Sequence, residues 1–119
     1  MRLFQKKKKR PFTSAVVAAG GSATRMGGIN KLLEEIGGIP VVAYSLLALE
    51  KSECIDEIVI AASEENLLPI TDICRDFAIH KATKVIRGGS SRAESVYKAL
   101  CECDSQAAFA PVQDGARPL

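Results

Sequence analysis

Two cations and a carboxylate stand where phosphate chemistry needs them. Arg25 and Lys31 lie on or beside a stretch containing Gly20, Gly21, Gly27 and Gly28, and that stretch follows an apolar run of small and β-branched residues without a break. A glycine-rich loop after a strand can turn its backbone N–H groups toward a ligand, and the cations add charge, so the pattern suits a phosphate chain. A permissive turn with solvated charges is the plainer alternative. Asp114, followed directly by Gly115, marks a second such place. One carboxylate there suits Mg2+ or another divalent cation, which takes one or two carboxylates and leaves other positions to substrate phosphates. An aspartate capping its own Asp-Gly turn would read the same way. A third segment, residues 88–95, again combines glycines, hydroxyls and a cation, Arg92.

The elements that must carry these residues follow from periodicity. Residues 14–19 are apolar on both faces, which predicts a central, parallel first strand. A loop over 20–28 and a turn over 37–40 follow. Val42, Leu46 and Leu49 recur at helical spacing behind Pro40, which suits a helix start, and predict a helix over 41–51. A second buried strand is expected over 56–62. Ser63 then resembles a cap, with Glu64 and Glu65 in the first turn of a helix carrying Leu68, Ile70, Ile73 and Phe77. Pro69 must fall in that helix's first turn or break it. A short strand is expected over 83–86. Ser90 or Ser91 would cap a helix from 92 to about 101, with Val96, Ala99 and Leu100 on its apolar face. A fourth strand is placed over 107–112, interrupted by Pro111.

Strand and helix alternate, which means an α/β sheet with right-handed crossovers. In open sheets of this kind ligands sit beyond the carboxyl ends of the strands. Each of the three polar-glycine segments follows a strand, so all three should converge on one edge.

Composition narrows the classes. The chain has 119 residues and 47% hydrophobic content, enough for one domain with a real core. No apolar run is long enough to cross a bilayer. Six of the 16 basic residues fall within residues 1–10, and the other ten face 14 acids, so a mildly acidic body carries a basic tag. That tag lacks the apolar segment and cleavage site of a signal peptide, and the expectation is a cytoplasmic protein with a disordered leader over 1–13. The lysine run has no interleaved aromatics for stacking bases, which argues against nucleic acid as the partner. Cys54, Cys74, Cys101 and Cys103 show no C-x-x-C pairing and His80 is the sole histidine, so a zinc site is not expected.

The glycine loop matches neither common nucleotide fingerprint. A Walker-type loop needs Gly-Lys followed by Ser or Thr, which is absent. The G-x-G-x-x-G pattern fails from Gly20 and from Gly21. A phosphate loop, two cations and a metal carboxylate together describe nucleotidyl transfer, with charge stabilised at the α-phosphorus of a nucleoside triphosphate. No general base is evident, which fits an attacking group that is already an anion.

The motif residues resemble those of one family. Val17-Ala-Ala-Gly20 through Thr24-Arg-Met-Gly27, then Asn30-Lys31, then Gly88-Gly-Ser-Ser-Arg92-Ala-Glu-Ser-Val96, then Asp114-Gly-Ala-Arg-Pro118 resemble the 2-C-methyl-D-erythritol 4-phosphate cytidylyltransferases in order and spacing. The resemblance runs from about Ser14 to Leu119. It implies a Rossmann-like nucleotidyltransferase fold, a glycosyltransferase-A-like three-layer sandwich, incomplete at the C-terminus. It also implies transfer of CMP from CTP to 2-C-methyl-D-erythritol 4-phosphate with release of pyrophosphate, in the non-mevalonate route to isoprenoids. Carried over by position, Arg25 and Lys31 match the catalytic cations. Ala18, Ala19, Gly20, Gly21, Gly89, Ser90 and Ser95 match nucleotide-binding positions, and Asp114 matches the Mg2+ ligand. Arg92 matches a family arginine whose role is structural or in ligand contact. Ser90 stands where many members have Asp or Glu, and Gln113 where His is common. Family enzymes continue past the last motif into an arm that helps form a homodimer and the sugar-phosphate site. The expectation is therefore an N-terminal, CTP-binding half with weak CTP–Mg2+ binding and little turnover. A ribitol-5-phosphate-type cytidylyltransferase and a non-catalytic nucleotide-binding fragment are the alternatives.

Overall fold

The structure, a computed structural model, describes residues 11–19, 25–26, 29–30, 32–108 and 110–115; for residues 25, 26, 29, 30 and 114 it describes the backbone. Its frame is a four-stranded parallel sheet. Strand β1 (Ser14–Ala19) is buried along its whole length. The chain then forms two short hairpins, β2 (Arg25–Met26) with β3 (Ile29–Asn30) and β4 (Glu35–Ile36) with β5 (Ile39–Pro40). Helix α1 (Val41–Lys51), strand β6 (Glu57–Ala62), helix α2 (Glu64–Asp76), strand β7 (Ala82–Arg87), helix α3 (Arg92–Cys101) and strand β8 (Val112–Asp114) complete the order. The sheet runs β7-β6-β1-β8, and each neighbouring pair is parallel.

Side-chain alternation sorts β1 and β6 into two faces. Ala15, Val17, Ala19, Ile58, Ile60 and Ala62 form one face, packed with Leu46 and Leu49 of α1 and Ile70 and Ile73 of α2. Val16, Val59 and Ala61 form the other, closed by Ala99 of α3. The reason lies in the strand order. The chain steps outward from β1 to β6 to β7, then turns back past β1 to β8. Right-handed connections put helices on one face for the outward steps and on the opposite face for the return. The expected three-layer α/β arrangement is therefore present. Among the described residues, no helix is long and apolar enough to cross a membrane.

Four expectations are corrected. The stretch expected as a loop over 20–28 contains β2, and the turn over 37–40 is the tip of the β4–β5 hairpin. Gly37 and Gly38 both have positive φ, 63° and 82°, the backbone that a two-residue hairpin turn requires. Tyr44 of α1 donates its hydroxyl to Ile36 O at 2.6 Å and ties that hairpin down. Pro69 neither breaks α2 nor sits in its first turn; the helix continues through it to Asp76. The missing N–H costs one intrahelical bond, and burial of Ile70 and Ile73 just beyond it holds the helix together. The fourth strand lies at Val112–Asp114 rather than over 107–112. Pro111 has no N–H for the ladder, but its carbonyl accepts from Val16 N–H at 2.8 Å, and pairing with β1 begins immediately after it.

At the amino ends of the strands a buried carboxylate ties the sheet together. Glu57 Oε1 accepts from Ser14 Oγ of β1 at 2.6 Å and from the Asp104 N–H after α3 at 2.9 Å. Its Oε2 accepts from Thr83 Oγ1 of β7 at 2.7 Å. Just before β1, Thr13 N–H donates to Asp56 Oδ2 at 2.9 Å, and Phe12 O accepts from Ala108 N–H at 2.8 Å. Residues 1–10, which carry the basic run, lie outside the described residues.

Candidate functional site

The opposite end of the sheet carries the candidate site. Strand order reverses on either side of β1, and such a reversal leaves a crevice beyond the carboxyl ends of the strands. Small residues end the central strands there: Ala18 and Ala19 in β1, Ala61 and Ala62 in β6. Their small side chains leave room for neighbouring segments, with Gly115 lying against Ala18 and Ala19 and Gly88 against Ala62. Ala18 stands in register with Asp114 of β8, and Gly115 N–H donates to Ala18 O at 2.9 Å. Gly115 is buried, and a Cβ on it would lie 3.0 Å from Leu32 Cδ2 and 3.4 Å from both Ala18 O and Ala19 Cβ. Glycine at this position is what allows the Asp114–Gly115 segment to press against β1.

Two buried polar side chains fix this corner. Ser45 of α1 donates to Gly115 O at 3.3 Å, and Asn66 of α2 donates through Nδ2 to Ala19 O at 3.3 Å. Neither was singled out from the sequence. A signal existed, however. Ser45 lies on the stripe of Val42, Leu46 and Leu49, and Asn66 lies on that of Ile70 and Ile73, so each is a polar residue on an apolar helix face. A polar group in such a place has to find a partner when it is buried.

Residues 88–95 form the second part of the site, at the carboxyl end of β7. Gly88 N–H donates to Ala62 O at 2.8 Å, linking the loop to β6. Gly89 N–H donates to Ser95 Oγ at 2.9 Å. A Cβ at Gly88 would fall 2.5 Å from the same Ser95 oxygen, so helix α3 sits tightly against this loop. Of the two serines open as cap, Ser91 is the one used: its Oγ accepts from Glu94 N–H at 3.1 Å. Glu94 in turn accepts from both the N–H and the Oγ of Ser90 through Oε1, each at 2.9 Å. The Ser90 N–H first, and then its hydroxyl, hold the Glu94 carboxyl below the usual carboxylate range. Glu94 was also missed as a site residue, since an exposed glutamate in a first helical turn normally signals only capping and dipole effects.

A cleft of about 560 Å³ opens here, lined by Ser63, Glu64, Arg87, Gly88, Gly89, Ser90, Glu94 and Lys98. Arg87 faces Glu64 across it at 3.9 Å; both are largely exposed, so the pair adds little stability. Gly89 and Ser90 thus line the cleft, Ser95 braces it from behind, and Arg92 begins α3 as an exposed residue outside the lining.

The structure brings Ala18, Ala19 and Asp114 together at the end of β1 and β8, and sets Gly89, Ser90 and Ser95 at the end of β7. β7 lies two strands from β1, so the two parts are separated by about 10 Å at ordinary strand spacing. Arg25 pairs with Asn30 in the β2–β3 ladder, next in sequence to Lys31. Gly20, Gly21 and Lys31, with the side chains of Arg25 and Asp114, lie outside the described residues. Among the described residues there is no group of three or more His, Cys, Asp or Glu placed to hold a metal.

Comparison with known proteins agrees with this geometry. A family model described as 2-C-methyl-D-erythritol 4-phosphate cytidylyltransferase matches residues 13–119. The enzyme of that name from Dehalococcoides mccartyi is 35% identical over 108 residues, covering 88% of this chain and 46% of the relative. That from Lachnospira eligens is 38% identical over 106 residues, covering 88% and 46%. Among solved structures, 4-diphosphocytidyl-2C-methyl-D-erythritol synthase from Anaerococcus prevotii superimposes with a TM-score of 0.75 at 27% identity, over 92% of this chain and 45% of that one. The chain therefore spans about half the length of the curated relatives it matches. With the end of β1, residues 88–95 and the Asp114–Gly115 backbone at one edge of a doubly wound sheet and a match running from Thr13 onward, the chain belongs to the 2-C-methyl-D-erythritol 4-phosphate cytidylyltransferase family.

Proposed function

We propose that this chain supplies the CTP-binding side of cytidylyl transfer from CTP to 2-C-methyl-D-erythritol 4-phosphate, with pyrophosphate as the leaving group. The observation that carries the reading is the family match over residues 13–119, supported by the end of β1, residues 88–95 and the Asp114–Gly115 backbone sharing one sheet edge. The base occupies the cleft at β7, and the phosphates reach back to the end of β1 and β8. An oxygen of the acceptor phosphate attacks the α-phosphorus, so no general base is needed. Arg25 and Lys31 stabilise the negative charge that builds there. Asp114, whose backbone stands in register with Ala18 at the end of β1, would hold Mg2+ in this reading: one carboxylate together with ligand phosphates is a donor set this cation accepts. When bound, the cation neutralises phosphate charge.

Pyrophosphate release from CTP and Mg2+, measured on this chain together with a complementing C-terminal piece of a relative, is the test. It is expected to require 2-C-methyl-D-erythritol 4-phosphate and to fall by about a hundredfold or more in Lys31→Ala. Ribitol 5-phosphate in place of that acceptor should give no release. Release that is indifferent to the acceptor, or untouched by Lys31→Ala, would contradict the reading.

A further inference from the structure

The loop that walls the cleft at β7 has its backbone donors engaged inside the protein. The N–H groups of Gly88, Gly89 and Ser90 donate to Ala62 O, Ser95 Oγ and Glu94 Oε1 at 2.8, 2.9 and 2.9 Å. The Ser90 hydroxyl donates to the same Glu94 oxygen at 2.9 Å. A glycine-rich loop that holds phosphate works the other way, with free N–H groups turned outward. This wall offers a ligand acceptors instead: the lone pairs of Ser90 Oγ and the second carboxylate oxygen of Glu94, which has no hydrogen-bond partner among the described residues. Arg87 and Lys98 also line the cleft, but both are long, exposed side chains, so its fixed polarity comes from the loop.

We infer that Glu94 is a specificity-determining residue: by taking both donors of Ser90 it presents an acceptor face that selects a pyrimidine carrying an exocyclic amino group. This rests on the nucleotide-binding reading above. Cytosine presents an amino donor at the position where uracil presents a carbonyl acceptor, and a carboxylate beside it favours the first and repels the second. Two features set Glu94 in place. Ser91 Oγ accepts its N–H at 3.1 Å, and the absent side chain of Gly89 leaves the room its arm occupies, since a Cβ there would lie 2.6 Å from Glu94 Oε1. The bonds from Ser90 also keep the carboxyl ionised at neutral pH.

The test is titration of the 119-residue chain with CTP and with UTP, each with Mg2+, followed by calorimetry or amide NMR. Wild type is expected to bind CTP about tenfold more tightly than UTP, the scale of one satisfied against one mismatched polar contact. Glu94→Gln keeps an oxygen for the two Ser90 donors but turns an amide NH2 toward the ligand in place of the free carboxylate oxygen, and should bring the ratio below about twofold or reverse it. Glu94→Ala releases both donors into the cleft and should bring the ratio below about twofold. If Glu94→Ala weakens both nucleotides equally with the ratio intact, Glu94 is only a structural wall and the inference falls, while the nucleotide reading stands. If wild type binds neither nucleotide, the nucleotide reading falls and takes the inference with it.

Discussion

Glu57→Ala is expected to cost the fold about 3 kcal/mol, because three donors from three parts of the chain lose one shared acceptor. Ser14 Oγ, Thr83 Oγ1 and the Asp104 N–H all point at this carboxylate from within 2.9 Å. Glu57 is buried, so water does not simply replace it. Glu57→Gln keeps one acceptor oxygen but turns an amide NH2 toward a donor, and should cost roughly half as much. Urea unfolding measures both; a loss below about 1 kcal/mol for the alanine variant would show that the network is not holding the sheet. The same group sets a pH dependence. Burial alone would raise the Glu57 carboxyl, but the hydrogen bonds from Ser14, Asp104 and Thr83 and the charge of Lys84 outweigh it and leave it below its ordinary 4.5. A carboxyl depressed in the folded state stabilises the fold at pH values above its unfolded value, and that contribution disappears as pH falls through the folded value. Wild type should therefore lose stability on acidification below about pH 4.5, and Glu57→Gln should lose less over the same window.

Gly115→Val is expected to be comparably damaging, and it connects packing to the site. A Cβ at this position would lie 3.0 Å from Leu32 Cδ2, and both γ-methyls would have to fit into the same buried corner. Overpacking of this kind costs about 3 kcal/mol when the backbone has to shift. The shift falls on Asp114, whose backbone pairs with Ala18, and on the bonds that Gly115 makes to Ala18 O and Ser45 Oγ. Mg2+-dependent CTP binding should drop by about tenfold or more even at temperatures where the variant remains folded. Gly115→Ala, with a single added methyl, should show a milder form of both effects. A valine variant with wild-type stability and Mg2+ response would mean that the Asp114–Gly115 segment is not packed as described.

The parts of this fold that could be read in advance are those where one signal dominates. Residues 14–19 have apolar side chains on both faces and could only be a central strand; α1 and α3 follow the apolar period, with Pro40 and Ser91 marking their starts. That residues 88–95 and 114–115 share an edge with the end of β1 followed from a rule of topology, that segments after parallel strands lie at one edge. The two hairpins were not legible because two-residue strands carry no period. The last strand was misplaced because Ala107 to Ala110 looks more strand-like than Val112-Gln113-Asp114, and only pairing with β1 decides between them. Ser45, Asn66 and Glu94 share a deeper reason. Their letters are ordinary in helices, and their roles depend on which neighbour the strand reversal brings beside them.

The central claim, that the carboxyl edge of this sheet is a CTP·Mg2+ site, is tested most directly by amide NMR of the chain titrated with CTP and Mg2+. The account predicts saturable shifts concentrated at Ala18, Ala19, Gly89, Ser90, Ser95 and Asp114, with those at Asp114 depending on Mg2+. It predicts little change around Ser14, Glu57 and Thr83 at the opposite end of the strands. Absence of saturable shifts, or shifts centred on the Glu57 end of the sheet, would contradict it.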